Sequence, residues 1–168
     1  MLYSGVITRT SPDGYRIKES RINKSYDLIF TNPNIENMLS KLKLNDYISF
    51  EGARSSTTNK IRIESINYVG LSDLLGLWQG DDTYCYNFVS FTELWIYFRT
   101  GTACSNRAID GRVYAYTINP SDPDWVLLLS DNKASFIGDV NVTSKESVNI
   151  SLYNSNTGNI LRHIKLKR

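Results

Sequence analysis

Apolar and polar residues alternate with a period of two along most of this chain. In the first seventy positions the alternation marks five segments: YSGVITRT (3–10), GYRIKES (14–20), KSYDLIF (24–30), DYISFEG (46–52) and KIRIESINYV (60–69). Each reads as a half-buried β-strand. Ser11-Pro12-Asp13-Gly14 has Pro and Gly where a tight turn wants them, so the first two strands are expected to form a hairpin. One stretch breaks the period. In NPNIENMLSKLK (32–43), Ile35, Met38, Leu39 and Leu42 recur at helical spacing. Asn32 can cap, Pro33 suits the first helical position, and Lys41 and Lys43 would sit at the negative end of the helix dipole. The fifth strand changes phase, with Ile61 and Ile63 on one parity and Ile66 and Tyr68 on the other. An extra residue near Glu64-Ser65, a β-bulge, would explain this.

After about position 71 the helical period does not return. LSDLLGLWQGDD (71–82) begins with a helical turn at Ser72 and runs into a Trp-bearing strand. TELWIYFRT (92–100), GRVYAYTI (111–118), DWVLLLS (124–130), SFIGDVNVT (135–143), ESVNISLYN (146–154) and ILRHIKLKR (160–168) follow at short, even intervals with turn residues between. That spacing predicts an antiparallel meander. Phe136, Val140 and Val142 face one way and Ser135, Asp139 and Asn141 the other, as a barrel with one buried face requires. Gly138, mid-strand, fits a bend at a barrel corner. DDTYCYNFVSF (81–91) is the least regular part and is read as a lid or an interface.

Three strands, a helix and two strands, with LSKLKLNDYISFEG (39–52) leading from helix to fourth strand, resemble the OB-fold over about residues 2–69. The resemblance implies a small five-stranded barrel with one short helix. Proteins of this fold often stack bases on aromatics and contact the backbone with cations. Tyr15, Arg16, Lys18, Tyr26 and Arg54 are the residues that would do so here, although Tyr26 alternates with Leu28 and Phe30 and is read equally as core.

In the second half, GLWQG (76–80) and the last strand resemble the lipocalin-like, or calycin, barrel. In that family a Trp from the first strand packs at one barrel end against an Arg from the final strand. The resemblance implies that Trp78 lies under the guanidinium of Arg162, which would explain a charged side chain on the parity of Ile160, Ile164 and Leu166. A barrel of this size is either filled by its own side chains or holds one small ligand. Arg112, Tyr114 and Tyr116 share a parity and, with Trp95, are the candidate ligand contacts; Trp95, Tyr97 and Phe98 could equally plug the interior. The fold expected is therefore all-β: two tandem small antiparallel barrels, an OB-like one over 1–70 and a lipocalin-like up-and-down one over 71–168. The junction VGLSDLLG (69–76) is too short for a free tether, so the two are expected to pack as one rigid body.

Composition changes this picture little. Of 168 residues, 41% are apolar and 21% charged, an ordinary globular mixture. Charge is uneven. Residues 1–70 hold 10 Lys/Arg against 7 Asp/Glu, residues 71–160 hold 5 against 10, and the last eight add four cations. Three excess cations make a weak case for a dedicated nucleic-acid surface. Cys85 and Cys104 lack the spacing of a metal or redox motif; they are read first as two unpaired thiols, with a bridge as the alternative. Sequons at Asn23, Asn141 and Asn149 are what chance supplies in a chain rich in Asn, Ser and Thr. MLYSGVITRT shows no signal-peptide pattern, which favours the cytoplasm, and no apolar run reaches the ~20 residues of a membrane helix.

A catalytic inventory is thin. His163, the sole histidine, falls on an outward parity, and there is no Gly-rich phosphate loop. The carboxylate pairs Asp81-Asp82 and Asp122/Asp124 read as solvated loops. No metal and no cofactor is expected. These features point to a non-catalytic binding or adaptor protein, with a small apolar or aromatic ligand, or a partner's segment, held in the second barrel. The alternative is single-stranded nucleic-acid binding through the first, and a third reading is self-assembly into a homo-oligomer.

Overall fold

The computed structural model describes residues 1–105, 111–121 and 125–168. The chain is all-β apart from one short α-helix among the described residues, and it divides into two compact units, Met1–Ser72 and Asp73–Arg168. Asp122 and Asp124 lie outside the described residues.

The first unit contains β1 (Leu2–Arg9), β2 (Tyr15–Glu19), β3 (Ser25–Ile29), α1 (Pro33–Ser40), β4 (Tyr47–Arg54) and β5 (Lys60–Gly70). β1 pairs antiparallel with β2 and β4, β2 with β3, and β4 with β5; β3 and β5 run parallel. Apolar positions that alternate in sequence meet inside: Ile7, Ile17, Ile48, Phe50 and Ile61 are fully buried. The register of β4 on β5 shifts twice, stepping over Glu64 and Asn67, and this carries the change of phase across the strand.

The helix is a turn shorter than its apolar stripe suggests. Asn32 caps it, its side chain accepting from the Asn34 N–H at 2.9 Å, and Ile35 and Leu39 are buried. It ends at Ser40, so Lys41 and Lys43 lie beyond the last turn. The reason is Asp46. Its buried carboxylate accepts from the Lys43 N–H at 2.8 Å and from both the N–H and hydroxyl of Ser72 at 2.7 Å. These bonds satisfy backbone that would otherwise continue the helix.

The second unit is a closed barrel of eight antiparallel strands. They are β6 (Gly76–Gly80), β7 (Tyr84–Phe88), β8 (Glu93–Phe98), β9 (Arg112–Asn119), β10 (Trp125–Ser130), β11 (Ser135–Ser144), β12 (Ser147–Tyr153) and β13 (Ile160–Lys167). Each pairs with the next in sequence, and β13 returns to β6 through Leu166↔Gly80 and Lys167↔Gln79. Closure removes exposed sheet edges.

Two expectations are corrected here. The irregular 81–91 segment contains a regular strand, β7. Tyr84, Tyr86 and Phe88 share one parity and Cys85 and Asn87 the other, but a cysteine between tyrosines hides the contrast that marks a strand. Cys85 and Cys104 are joined in a disulfide, not free; the bond ties the segment after β8 to the outward parity of β7. Nothing in their 19-residue separation announces this.

Gly138 is needed for close strand approach. A Cβ there would stand 2.4 Å from the Ser151 carbonyl oxygen on β12. Gly138→Val is therefore expected to lower stability by about 1–3 kcal/mol, read from the midpoint of urea unfolding.

Candidate ligand cavity

The barrel is filled at one end and hollow at the other. At the filled end Trp78 is 0% exposed, and its indole N–H donates to the Leu74 carbonyl at 2.7 Å. The Arg168 guanidinium lies over the indole face, 4.3 Å from the ring centroid, and donates to the carbonyls of Asp73 and Leu75. Asp73 lies within the 3₁₀ turn (Ser72–Leu74) and Leu75 directly follows it, so Arg168 binds the turn that leads into β6. Phe88 and Tyr116 meet edge to face at 5.2 Å in the same half, with the Tyr116 hydroxyl donating to the Ser90 carbonyl at 2.7 Å.

The expected Trp78–Arg162 pair is thus corrected: the cation on Trp78 is Arg168. Register explains the exchange. Lys167 lies opposite Gln79, so the next residue on β13's path reaches Trp78, whereas Arg162 pairs across to Leu152 near the other end. Both arginines occupy the same strand parity, and the sequence alone does not distinguish them.

The hollow end holds a cavity of about 530 Å³ that opens to solvent, a size that suits one small molecule. Its walls are largely aliphatic and aromatic, with Leu94, Leu127, Leu129, Ile150 and Ile164 buried and Phe98, Phe136, Leu152 and Leu161 among the remaining lining residues. Leu161 is the extra residue of a register shift in β13 and is exposed.

One polar cluster is built into this wall. Asp82, with its side chain 14% exposed, accepts from the Tyr86 hydroxyl at 2.6 Å, from the Arg162 guanidinium at 3.0 Å and from the Tyr84 N–H at 3.0 Å. Arg162 also lies over the Tyr84 ring, 5.5 Å from its centroid. The carboxylate read from sequence as a solvated loop is therefore a hub, paired and hydrogen-bonded as a buried charge must be. Gly80 makes room for it: a Cβ there would fall 2.2 Å from an Asp82 carboxylate oxygen and 2.8 Å from the Tyr86 ring. Burial, with the neighbouring Asp82 hydrogen bond and charge, holds the Tyr86 phenol well above its ordinary pKa; burial alone does the same to Tyr116. Asp81 works outside the cavity, joining β6 to β13 by accepting from the Lys165 N–H at 2.9 Å.

The four candidate ligand contacts separate. Arg112 and Tyr114 line the cavity. Tyr116 belongs to the filled half, packed on Phe88. Trp95 is not among the lining residues: Leu94 and Ile96 line the cavity on either side of it, and its indole N–H donates to Glu93 at 2.5 Å. Phe98 lines the cavity without plugging it. His163 is exposed on the outward parity, its Nδ1 2.9 Å from the Ser151 hydroxyl.

In the first unit the nucleic-acid candidates do not make an open stacking face. Tyr15 and Tyr26 are buried. Arg16 donates to Asp27 at 2.8 Å, where Arg9 also binds at 2.6 Å, and these guanidinium groups, Arg16 foremost, hold the Asp27 carboxyl below the ordinary range. Arg54 covers the Tyr26 ring, 5.1 Å from its centroid. Lys18 is exposed. Alternation within β2 and β3 turns the tyrosine rings to the core, the reading that Tyr26 already admitted. Among the described residues no cluster of three or more His, Cys, Asp and Glu could hold a metal ion.

Arg168→Ala is expected to cost about 1–2 kcal/mol in urea unfolding, because it removes the guanidinium that covers the buried indole and its hydrogen bonds to the Asp73 and Leu75 carbonyls. Arg168→Lys should restore part of this. The raised phenols set a second expectation. In the unfolded chain both tyrosines titrate near pH ~10, while the folded state keeps their protons to higher pH. Stability is therefore whole below that point and falls as pH rises above it. Alkaline unfolding followed by circular dichroism should show this decline, made shallower by Tyr116→Phe. No protein-family model, curated protein or solved structure matches the chain, so its own geometry carries the functional reading.

Proposed function

We propose that the chain is a non-catalytic binding protein whose second unit, a lipocalin-like barrel, holds one small apolar or aromatic ligand. The observation that carries this reading is the 530 Å³ cavity in a closed barrel whose other end buries Trp78, Phe88 and Tyr116. A protein that needed the barrel only as a scaffold would gain stability by filling that space. The calycin likeness rests on an up-and-down ring and an indole from the first strand held by an arginine from the last, here Arg168. For the first unit we keep the OB-like reading. It is supported by the ring of pairings β1-β2-β3-β5-β4 and by a helix between β3 and β4. Its role in this reading is scaffold or protein contact, because its inward tyrosines leave their rings in the core. The disulfide favours an oxidising compartment over the cytoplasm.

A neutral fluorescent probe, 1-aminoanthracene, tests the reading. It is expected to bind with one-to-one stoichiometry and a blue-shifted emission, and Ile150→Trp, which fills the cavity wall from β12, should abolish binding while leaving the unfolding midpoint within about 2 kcal/mol of the parent. Unchanged binding in that variant would place the probe elsewhere and remove the proposal.

A further inference from the structure

The outer wall of the barrel carries a patch that the cavity does not use. Register places Leu128 opposite Ile137, Ile137 opposite Tyr153 and Tyr153 opposite Ile160, one row across β10, β11, β12 and β13. Ile160 joins this row because Leu161 is the extra residue of the register shift; without it Ile160 would share the inward parity of Ile164. Leu128, Ile137 and Ile160 are 41%, 38% and 52% exposed, and Tyr153 is half-buried beside them. A contiguous apolar row on the solvent face of a sheet, bordered by polar residues, marks a contact surface.

The next row is polar, and its two ends are chemically opposite. Asp139 on β11, Ser151 on β12 and His163 on β13 stand opposite one another. Asp139 accepts the Tyr153 hydroxyl on Oδ2 at 2.6 Å, and its Oδ1 has no partner among the described residues. The His163 Nδ1 lies 2.9 Å from the Ser151 hydroxyl, and its Nε2 has no partner among the described residues. One row further on, exposed Asn141 and exposed Lys165 flank Asn149 in the same way. The two flanks of β12 therefore match: apolar with apolar, carboxylate with imidazole, amide with ammonium.

We infer that this face binds a second copy of the chain about a two-fold axis running along β12. Such an axis lays β11 of one copy over β13 of the other, row for row, and every contact occurs twice. Ile137 meets the partner's Ile160, and Tyr153 meets its own counterpart on the axis. With Nδ1 accepting from the Ser151 hydroxyl, Nε2 carries the ring hydrogen and donates across the interface to the carboxylate of Asp139. The Asn141 side-chain carbonyl accepts from the partner's Lys165. No like charges face each other in these three rows. A partner of uniformly acidic or basic character would leave one flank unmatched, which selects a second copy. The barrel wall is convex, so contact is confined to these rows, as suits a weak and reversible dimer.

Sedimentation velocity of the full chain, with its disulfide intact, is expected to show a monomer–dimer equilibrium between about 5 and 500 µM. Ile160→Lys sets an ammonium against Ile137 twice per dimer and should weaken association at least about tenfold while leaving the circular dichroism native. His163→Asp sets carboxylate against carboxylate and should weaken it by a similar factor. The exchange Asp139→His with His163→Asp restores opposite partners and should return association to within about threefold of the parent. Monomer throughout this range overturns the proposal, as does a dimer that Ile160→Lys and His163→Asp leave unchanged. A folded exchange variant that associates no better than His163→Asp overturns the pairing about β12.

Discussion

The indole of Trp78 and the guanidinium of Arg168 draw on backbone carbonyls from the same short turn, and the closed barrel depends on that arrangement. The β13–β6 seam has only two register pairs, the fewest of any seam in the ring. Side chains must supply what the short ladder does not. Arg168 comes from the end of one strand, Trp78 from the middle of the other, and the carbonyls from the turn that precedes β6. The exposed Arg168 guanidinium covers the buried indole while its charge keeps contact with water, so the contact carries little desolvation cost. Asp81 adds a second stitch to the seam through Lys165.

With one end sealed, the other can be left open. Deep positions of the filled half carry Trp78, Phe88 and Tyr116, while the opposite half relies on Leu, Ile and a smaller number of rings that do not span the interior. Asp82 brings a charge into that half without destabilising it, because Arg162, Tyr86 and the Tyr84 N–H complete its hydrogen bonding. Its role is to hold three side chains in fixed orientation along one wall.

Much of the fold was legible. Period-two alternation identified most strands, and the helical stripe from Ile35 to Leu42 identified the helix, since both patterns record which side chains face a core. The site was legible in part. Arg112 and Tyr114 share a parity and both line the cavity, whereas Trp95 lies between Leu94 and Ile96 on the opposite parity and does not. β7 was missed because Tyr and Cys both count as apolar. Asp82 was missed because a carboxylate in a DD turn looks like any solvated pair until its partners are known.

The amino-acid sequence by itself determined which residues turn inward and that the chain forms strands in meandering order, because those properties depend on neighbours in the chain. Tertiary structure alone decided which arginine meets Trp78, that Cys85 reaches Cys104, and that the barrel is hollow at one end. Each of these depends on register around a closed ring, where one step along β13 exchanges partners eighty or more positions away. Local periodicity is the same for every register; only closure selects one.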